Sequence, residues 1–282
     1  MPALANRPAM CRGAAELGHA PPRRSPTHLV LIPSFNPGER VFATVRAARA
    51  HWDPVWVVTD GSTDGTPQRL IEQARLDEAL EVLTLASNQG KGAAILHGIR
   101  AAVARGYTHA LTMDSDDQHP AELIPEFMHC SQQHPDAMIL GKPVFDSSAP
   151  RARVYGRRLS NVWANLETLG AGIGDSLFGF RVYPLRPLLE IMEAQRHMRR
   201  FDFDVEAAVR LCWRGVLPIN RPAPVRYHPR AQGGVSHFSY LRDNLLLTGM
   251  HVRLFCGFLW RLPALLRARR RRVGAPGAAS IK

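Results

Sequence analysis

Residues 111 to 120 read Leu111-Thr112-Met113-Asp114-Ser115-Asp116-Asp117-Gln118-His119-Pro120. The apolar start of this stretch predicts a buried strand, and the carboxylates follow where that strand leaves its sheet, which is where open α/β sheets keep their ligands. Because side chains alternate along extended backbone, Asp114 and Asp116 can point to the same side. Converging carboxylates repel each other unless a cation lies between them. With the amide oxygen of Gln118 they form an oxygen-only set that suits Mg²⁺ or Mn²⁺.

The same stretch also fits a simpler interpretation. An aspartate-rich turn would cap the helix that begins at Pro120 and would need no ligand. The motif alone leaves both interpretations open.

An alternation of strands and helices surrounds this stretch. Short apolar runs predict the strands, and segments with helical spacing of apolar residues separate them. The predicted strands are residues 29–32, 55–58, 81–86, 108–113 and 137–141. The predicted helices are residues 39–51 and 92–105, and two more that begin at Thr66-Pro67 and at Pro120. This order predicts an α/β fold with a mostly parallel central sheet covered by helices.

The alternation ends near residue 150. Further elements are predicted as helices at 151–169 and 201–214, a strand at 177–183, extended chain at 216–227 and a long apolar segment at 240–267. We expect four parts: a flexible leader at 1–26, an α/β domain at 27–238, an amphipathic helical extension at 239–272 and a disordered tail at 273–282.

The composition is strongly basic. Lys and Arg number 36 against 24 Asp and Glu, a net charge of +12 that favours nucleic acid, anionic lipid or phosphorylated partners. Six of the arginines fall between residues 261 and 272, directly after an apolar, aromatic-bearing segment. That order indicates a helix on an anionic membrane surface, so no nucleic acid partner is expected. A helix packed on the sheet with a basic tail is the alternative.

The cellular location is predicted from cysteines and apolar runs. The four cysteines lie far apart, which indicates reduced thiols in the cytoplasm. No segment has 18 uninterrupted apolar residues, so we expect the extension to lie on the inner face of the cell membrane as a peripheral element.

Two further loops follow predicted strands and have ligand-binding composition. In the loop from Asp60 to Gly65, Asp60 offers an acceptor for a base or ribose, and hydroxyls such as Ser62 stand beside it. In the loop from Asn88 to Gly92, Lys91 lies between two glycines just before a helix, a suitable place for phosphate. An ordinary Asx-turn and an ordinary helix entry remain the alternatives.

Taken together and in order, these loops resemble family 2 glycosyltransferases with the GT-A fold, especially the branch of dolichyl- and polyprenyl-phosphate sugar transferases. The resemblance covers about residues 28 to 240, and four ordered motifs are far more specific than one. The motifs are Ile32-Pro33-Ser34-Phe35-Asn36, Val57-Val58-Thr59-Asp60-Gly61-Ser62-Thr63-Asp64-Gly65-Thr66, Asn88-Gln89-Gly90-Lys91-Gly92-Ala93 and Met113-Asp114-Ser115-Asp116-Asp117-Gln118-His119-Pro120. Asp175 and Gly179-Phe180-Arg181 continue it. A Rossmann-like GT-A domain is therefore expected at 27–238.

The resemblance implies an inverting, metal-dependent enzyme. It would move a sugar from a nucleotide-diphosphate donor to a lipid-linked acceptor, a polyprenyl phosphate or a glycolipid. The implied metal ligands are Asp114, Asp116 and Gln118, for Mg²⁺ or Mn²⁺. The donor-binding candidates are Pro33, Phe35, Asn36, Asp60, Ser62, Asp64, Lys91, Asp114 and Ser236. Arg230 and Gly234-Val235-Ser236 resemble the family's late loop that closes over the phosphates.

Two positions depart from the family pattern. Pro37 replaces an acidic residue, and Thr59 replaces the first of two consecutive aspartates. In the family both positions touch the nucleobase pocket, so the resemblance leaves the identity of the base open. The segment from Val235 to Asn244 resembles bacterial members found with lipid acyltransferases, so a membrane-bound acyltransferase or flippase is an expected partner.

Acid–base chemistry has three candidates. A hydroxyl acceptor needs a general base, and Asp202, Asp204 and Glu206 are available; if the helix starts early, Asp202 and Glu206 share a face and Asp204 points away. A phosphate acceptor is already ionised and needs none. Lys91 or Arg230 can add to the stabilisation of the departing diphosphate.

Two rival functions would require other features in the sequence. A sugar-phosphate nucleotidyltransferase should show a Gly-rich, basic loop after the first strand, and residues 33–38 are not that loop. A non-catalytic basic module for membrane or nucleic acid should spread its charge over one face, whereas the arginines here cluster at one end.

Overall fold

The computed structural model describes residues 23–145, 151–225 and 240–273. Seven strands form the main sheet: β1 (His28–Ser34), β2 (Val55–Asp60), β3 (Leu80–Leu85), β4 (His109–Thr112), β5 (Met138–Val144), β6 (Arg181–Pro184) and β7 (Pro218–Pro224). The helices are α1 (Arg40–His51), α2 (Thr66–Ala74), α3 (Lys91–Ala104), α4 (Ile124–Gln133), α5 (Arg151–Leu166), α6 (Leu185–Glu193), α7 (Phe203–Trp213) and α8 (Tyr240–Val273).

The sheet has the order β3-β2-β1-β4-β6-β5-β7. Strand β1 pairs in parallel with β2 and β4, and β2 pairs in parallel with β3. Strand β6 runs antiparallel to both β4 and β5. The predicted α/β fold with a mostly parallel sheet covered by helices is confirmed.

Strand β1 lies at the centre of the packing. All seven of its residues are buried, because each face of the sheet carries its own apolar layer. Leu29 and Leu31 belong to the layer that contains residues of α3, and Val30 and Ile32 to the layer that contains residues of α1 and α4. A strand covered on both faces needs apolar residues at every position, which explains its continuous apolar run.

Several predicted boundaries were wrong. The strand expected at 177–183 is limited to Arg181–Pro184, because Asp175 folds the residues before it into a turn. Its Oδ1 accepts the N–H groups of Leu177 at 2.9 Å and Phe178 at 2.7 Å. The segment after Pro120 first forms a 3₁₀ turn, Ala121–Leu123, before α4. Helix α6 was not predicted, since two prolines flank and enter it.

The domain also begins earlier than expected. Arg23–Arg24 pairs in parallel with Trp52–Asp53, and the N–H of Ser25 donates to the carbonyl of Asp53 at 2.8 Å. Residues 23–26 therefore belong to the folded domain. The rest of the predicted leader and most of the predicted tail lie outside the described residues.

Helix α8 packs on the domain with one face and leaves the other exposed. Met250, Leu254 and Phe258 are buried, whereas Leu259 and Trp260 are exposed. By length and composition, Leu245–Arg270, with 26 residues and a mean hydropathy of 1.2, is long and apolar enough to cross a membrane. That the helix lies on the membrane instead stays a prediction.

Candidate active site

The loops after β1 and β2 are tied together by hydrogen bonds. Asn36 Oδ1 accepts the N–H of Thr63 at 2.7 Å, and the N–H of Asn36 donates to Ser62 Oγ at 3.0 Å. Asp64 accepts the N–H of Gly38 at 3.0 Å. Thus Asn36, Ser62 and Asp64 hold two of the predicted donor-binding loops as one unit. Of the other candidates in the first loop, residue 33 is buried and residue 35 is half-buried.

Asp60 connects the end of β2 to the loop before α3. Its side chain is buried, and its two oxygens accept the N–H groups of Gln89 at 2.8 Å and Gly90 at 2.7 Å. Next to it, Gly61 has a φ of +66°, and a Cβ there would lie 2.4 Å from the backbone of Ser87. Asp60 therefore shapes the Lys91 loop, and its predicted contact with a nucleobase stays a prediction.

Lys91 bridges two carboxylates at the carboxyl edge of the sheet. Its Nζ lies 2.8 Å from Asp114 Oδ1 and 2.7 Å from Asp204 Oδ2. Burial alone would lower the pKa of Lys91, but the charges of Asp114 and Asp204 raise it above its ordinary value. Gly179 faces this cluster, because a Cβ there would lie 2.8 Å from Lys91 Nζ. The cluster thus joins α3, the loop after β4 and α7.

Asp114 is held in its charged form. Burial opposes its ionisation, yet the ammonium of Lys91 brings the pKa of Asp114 down to about 2. His119 Nδ1 accepts the N–H of Asp114 at 3.0 Å, and its ring packs edge-on against Phe178 at 4.7 Å. Burial lowers the pKa of His119 despite the nearby Asp114. Because Nδ1 accepts an N–H, it carries no proton of its own, and the ring positions the first carboxylate.

Asp116 lies in a more negative environment. Burial and the charge of Asp114 raise the pKa of Asp116. Its Oδ1 accepts the N–H of Gln118 at 3.1 Å, and Arg40 Nη1 donates to its backbone carbonyl at 3.3 Å. Asp117 has a φ of +62°, which turns the chain sharply between these residues.

Arg181 stabilises the backbone around the Lys91 cluster, and the sequence analysis assigned it no role. It is fully buried and donates to the carbonyls of Phe178 at 2.6 Å, Asp175 at 3.1 Å and Asp204. Its motif, Gly179-Phe180-Arg181, was part of the family resemblance, which was the available signal. The guanidinium fixes the backbone of α7 against the end of β6.

The three acidic candidates on α7 separate. Asp204 reaches Lys91, and its Oδ1 is buried without a hydrogen-bond partner. Glu206 pairs with Arg210 at 2.7 Å and with Arg253 of α8 at 3.2 Å, and Asp202 lies on the same side. Asp202 and Glu206 therefore lie on one side and Asp204 on the side of Lys91, so of the three only Asp204 contacts the site. The acid–base roles of all three stay predictions.

Two candidates cannot be placed. Arg230 and Ser236, from the predicted phosphate-closing loop, lie outside the described residues. Their roles stay predictions.

The described residues fit a metal only in part. Across 23–145, 151–225 and 240–273, no three His, Cys, Asp or Glu side chains gather in a way that could hold a metal ion. Asp114 and Asp116 nevertheless supply two carboxylates on one turn, and burial, followed by the charge of Asp114, raises the pKa of Asp116. Such a pair suits a cation that takes its other oxygens from a ligand.

The family comparison matches most of the α/β domain. A model described as glycosyl transferase family 2 matches residues 29–188. The polyprenol monophosphomannose synthase of Mycolicibacterium smegmatis is 29% identical over 208 residues, which cover 71% of this chain and 76% of that protein. The undecaprenyl-phosphate mannosyltransferase of Micrococcus luteus is 26% identical over 187 residues, which cover 64% of this chain and 76% of that protein.

Solved structures share the fold. The crystal structure of M. tuberculosis glucosyl-3-phosphoglycerate synthase has a TM-score of 0.55 at 17% identity and covers 83% of this chain and 80% of its own. The same enzyme from Mycobacterium tuberculosis in complex with Mn²⁺ and UDP-glucose has a TM-score of 0.52 at 17% identity and covers 74% of each chain. This likeness shows the GT-A fold.

Proposed function

Because this chain belongs to glycosyl transferase family 2, we propose that it moves a sugar, with inversion, from a nucleotide-diphosphate donor to a lipid-linked acceptor at the cytoplasmic membrane face. The observation that carries the proposal is the cluster in which Lys91 bridges Asp114 and Asp204 beside the Asp114–Gln118 turn. It combines a cation for phosphate with carboxylates for a metal, at the edge where such sheets bind ligands.

The rival functions lose their support. Family membership makes the chain a glycosyltransferase, so neither a nucleotidyltransferase nor a non-catalytic basic module is needed to account for the sequence. The basic surplus instead serves the membrane and the donor in this proposal.

The donor is held by the linked loops after β1, β2 and β3. Asn36, Ser62 and Asp64 fix the first two loops, and Asp60 fixes the third, so the edge is organised before a ligand arrives. In this arrangement the nucleoside lies against the first two loops and the diphosphate against Lys91 at the start of α3. Preorganised charge of this kind favours the departing diphosphate in the transition state.

Asp114 and Asp116, with Gln118, would hold the Mg²⁺ or Mn²⁺ ion. When bound, the ion supplies Lewis-acid stabilisation to the leaving diphosphate. His119 and Lys91 position Asp114 for this role, since the first accepts its N–H and the second pairs with its carboxylate.

Asp204 is the candidate for acid–base work. Its unpartnered Oδ1 leaves one acceptor free while Lys91 holds the other oxygen. With a hydroxyl acceptor, Asp204 would take the proton; with a phosphate acceptor, which is already ionised, it would orient Lys91. The names of the two curated relatives, which refer to polyprenol and undecaprenyl phosphate, support a polyprenyl phosphate, and a glycolipid stays an alternative.

Helix α8 would bring the enzyme to the membrane. Trp260 and Leu259 are exposed, and the helix continues through exposed Arg267, Arg269 and Arg270. Each cation near an anionic surface contributes about 1 kcal/mol, and apolar contact adds to it. Because Arg253 of this helix pairs with buried Glu206, α8 is held along the domain, which favours a surface position over a spanning one.

Helix α5 extends the exposed apolar surface. Leu159 and Val162 are exposed on it, and its Trp163 meets Phe255 of α8 edge-on at 5.8 Å. We assign these exposed apolar residues of the two contacting helices to the lipid.

The test is transfer into lipid. The purified chain is incubated with a panel of labelled nucleotide sugars, Mn²⁺ and a bacterial membrane lipid extract. The proposal predicts label in the organic phase with at least one donor. Label only in free sugar, or none with any donor, would contradict it. An acyltransferase or flippase partner stays a separate prediction.

A further inference from the structure

Helix α8 contacts a buried acidic pair on α7. Arg253 Nη2 lies 3.2 Å from Glu206 Oε2 and 3.8 Å from Asp202 Oδ2. Glu206 is fully buried, Asp202 is 3% exposed, and Arg210 is a second partner of Glu206 at 2.7 Å. Buried carboxylates need such cations, because an uncompensated charge is costly away from water. Arg253 therefore fixes α8 to the start of α7 by charge as well as by packing.

Asp202 shapes the loop that precedes α7. Its Oδ2 accepts the N–H of Met198 at 3.1 Å, and its Oδ1 accepts the N–H of Arg200 at 3.0 Å. Met198 has a φ of +63°, a left-handed conformation that is unfavourable for a residue other than glycine. The loop keeps this conformation because Asp202 satisfies the N–H groups on both sides of Arg199.

The same loop packs closely against the turn that carries Lys91. The N–H of Ala93 is shared between two acceptors, the carbonyl of Gly90 in its own turn at 2.9 Å and the carbonyl of Arg199 in this loop at 3.1 Å. A Cβ on Gly90 would lie 2.4 Å from the Arg199 carbonyl oxygen, and one on Gly92 would lie 2.1 Å from that of Met198. With contacts this close, the loop cannot shift unless the turn shifts with it.

We propose that Arg253 is a positioning residue, which acts through Asp202 and the Met198–Arg200 loop to hold Lys91 in place between Asp114 and Asp204. Arg253 touches neither carboxylate of the Lys91 bridge itself. Its role toward catalysis rests on the proposed function, whereas its structural relay does not. A consequence is that the donor site depends on α8 being docked.

A double-mutant cycle tests the relay without any ligand. Arg253→Met keeps the aliphatic part of the side chain and removes the charge. Asp202→Asn weakens the hydrogen bonds that residue 202 accepts from the N–H groups of Met198 and Arg200. The readout is hydrogen exchange at the Ala93 amide. We expect each variant to lower protection about 10-fold and the double variant to lower it no further, since both act on one path. Additive effects, or unchanged protection in both single variants, would overturn the proposal.

The matched control is Arg49→Met. Arg49, on α1, forms an ion pair with Asp77 at 2.8 Å and belongs to no part of the relay. It should leave the Ala93 amide unchanged. If Arg49→Met and Arg253→Met lower protection equally, the effect is general destabilisation and the relay is wrong.

Nucleotide affinity separates this inference from the proposed function. UDP and GDP, each with Mn²⁺, are titrated into the wild type, Arg253→Met and Arg253→Lys. We expect roughly 10-fold weaker binding for Arg253→Met and partial rescue by Arg253→Lys, which keeps the charge. A relay seen by exchange in a protein that binds neither nucleotide would support the inference and count against the proposed function. Equal affinity in all three proteins would overturn the proposed role of Arg253.

Discussion

At the scale of single residues, Lys91 is the group on which the proposed chemistry most depends. It compensates Asp114 and Asp204 and faces the site assigned to the diphosphate. Lys91→Met should therefore raise the pKa of Asp114 well above about 2, because burial then opposes its ionisation without the main compensating charge. Carbon-detected NMR titration of the carboxyl groups measures this. A pKa of Asp114 that stays near 2 in the variant would show that other groups control it.

Asp60 offers a second residue-scale prediction. In Asp60→Asn, an amide group would face one of the two N–H donors of Gln89 and Gly90, so a buried donor would lose its partner. We expect a loss of about 1–3 kcal/mol in unfolding free energy and weaker binding of nucleoside diphosphates. Urea unfolding and calorimetry measure the two effects. Exposed Glu72→Gln is the control, and a variant that matches it in both measurements would contradict the assigned role.

The residue contacts of the site could be predicted from the sequence only in part. The acidic turn and Lys91 were recognisable because each lies in a short motif. The pairing of Lys91 with Asp204 spans 113 positions and depends on how β6 and α7 are placed, which local patterns do not encode. Likewise, residue type alone would predict an exposed Arg181, because its burial depends on carbonyl partners that the sequence does not reveal.

At the scale of elements, a histidine pair joins two central strands. His28 of β1 lies opposite His109 of β4, and their rings stack at 4.4 Å. Burial and the neighbouring His109 lower the pKa of His28 from 6.5 to about 4. As the pH falls, the unfolded chain therefore binds this proton before the folded chain does. The contribution of neutral His28 to the free energy of unfolding is fully present above pH 6.5 and is lost as the pH drops to about 4.

His28→Gln tests this titration. Between pH 7 and pH 4, the free energy of unfolding should fall by roughly 1–3 kcal/mol less in the variant than in the wild type, whatever the absolute stability of the variant. Urea unfolding at the two pH values gives the difference. The same pH dependence in both proteins would assign the acid sensitivity to other groups.

The contact between α3 and the loop before α7 gives another element-scale prediction. A Cβ on Gly92 would meet the Met198 carbonyl oxygen at 2.1 Å, so Gly92→Ala should cost about 1–3 kcal/mol through overpacking. Gly156→Ala is the matched control, because Gly156 lies in α5 with nothing within 4 Å. Thermal unfolding compares the two. If Gly92→Ala is as stable as its control, the loops are less tightly packed than described.

Element order was the most predictable level. Strands and helices up to β5 follow from apolar periodicity, since each is covered by neighbours in sequence. Strand β6 and helix α6 were misjudged because β6 inserts antiparallel between β4 and β5, and its short apolar run is continuous with the turn of Asp175.

At the scale of the whole molecule, the exposed end of α8 should control membrane binding. A chain ending at residue 262 keeps buried Phe258 and the stack of Arg261 on Trp213, at 4.8 Å, while it loses the distal arginines. In a flotation assay this truncated chain should no longer float with anionic vesicles, although it keeps its fold. Leu76→Glu, which changes an exposed leucine beyond α2, is the control. Equal flotation of truncated and full-length chains would contradict the surface position of α8.

The proposed metal-dependent transfer is tested most directly by measuring sugar transfer to lipid in metal-stripped wild type and metal-stripped Asp116→Ala, before and after Mn²⁺ is added. Asp116 lies on a turn outside the core, so its loss should remove a metal ligand and leave the fold intact. We expect Mn²⁺ to restore label in the lipid fraction for the wild type but not for the variant, with both proteins unfolding alike. Transfer that persists in excess chelator, or equal transfer by Asp116→Ala, would contradict this expectation.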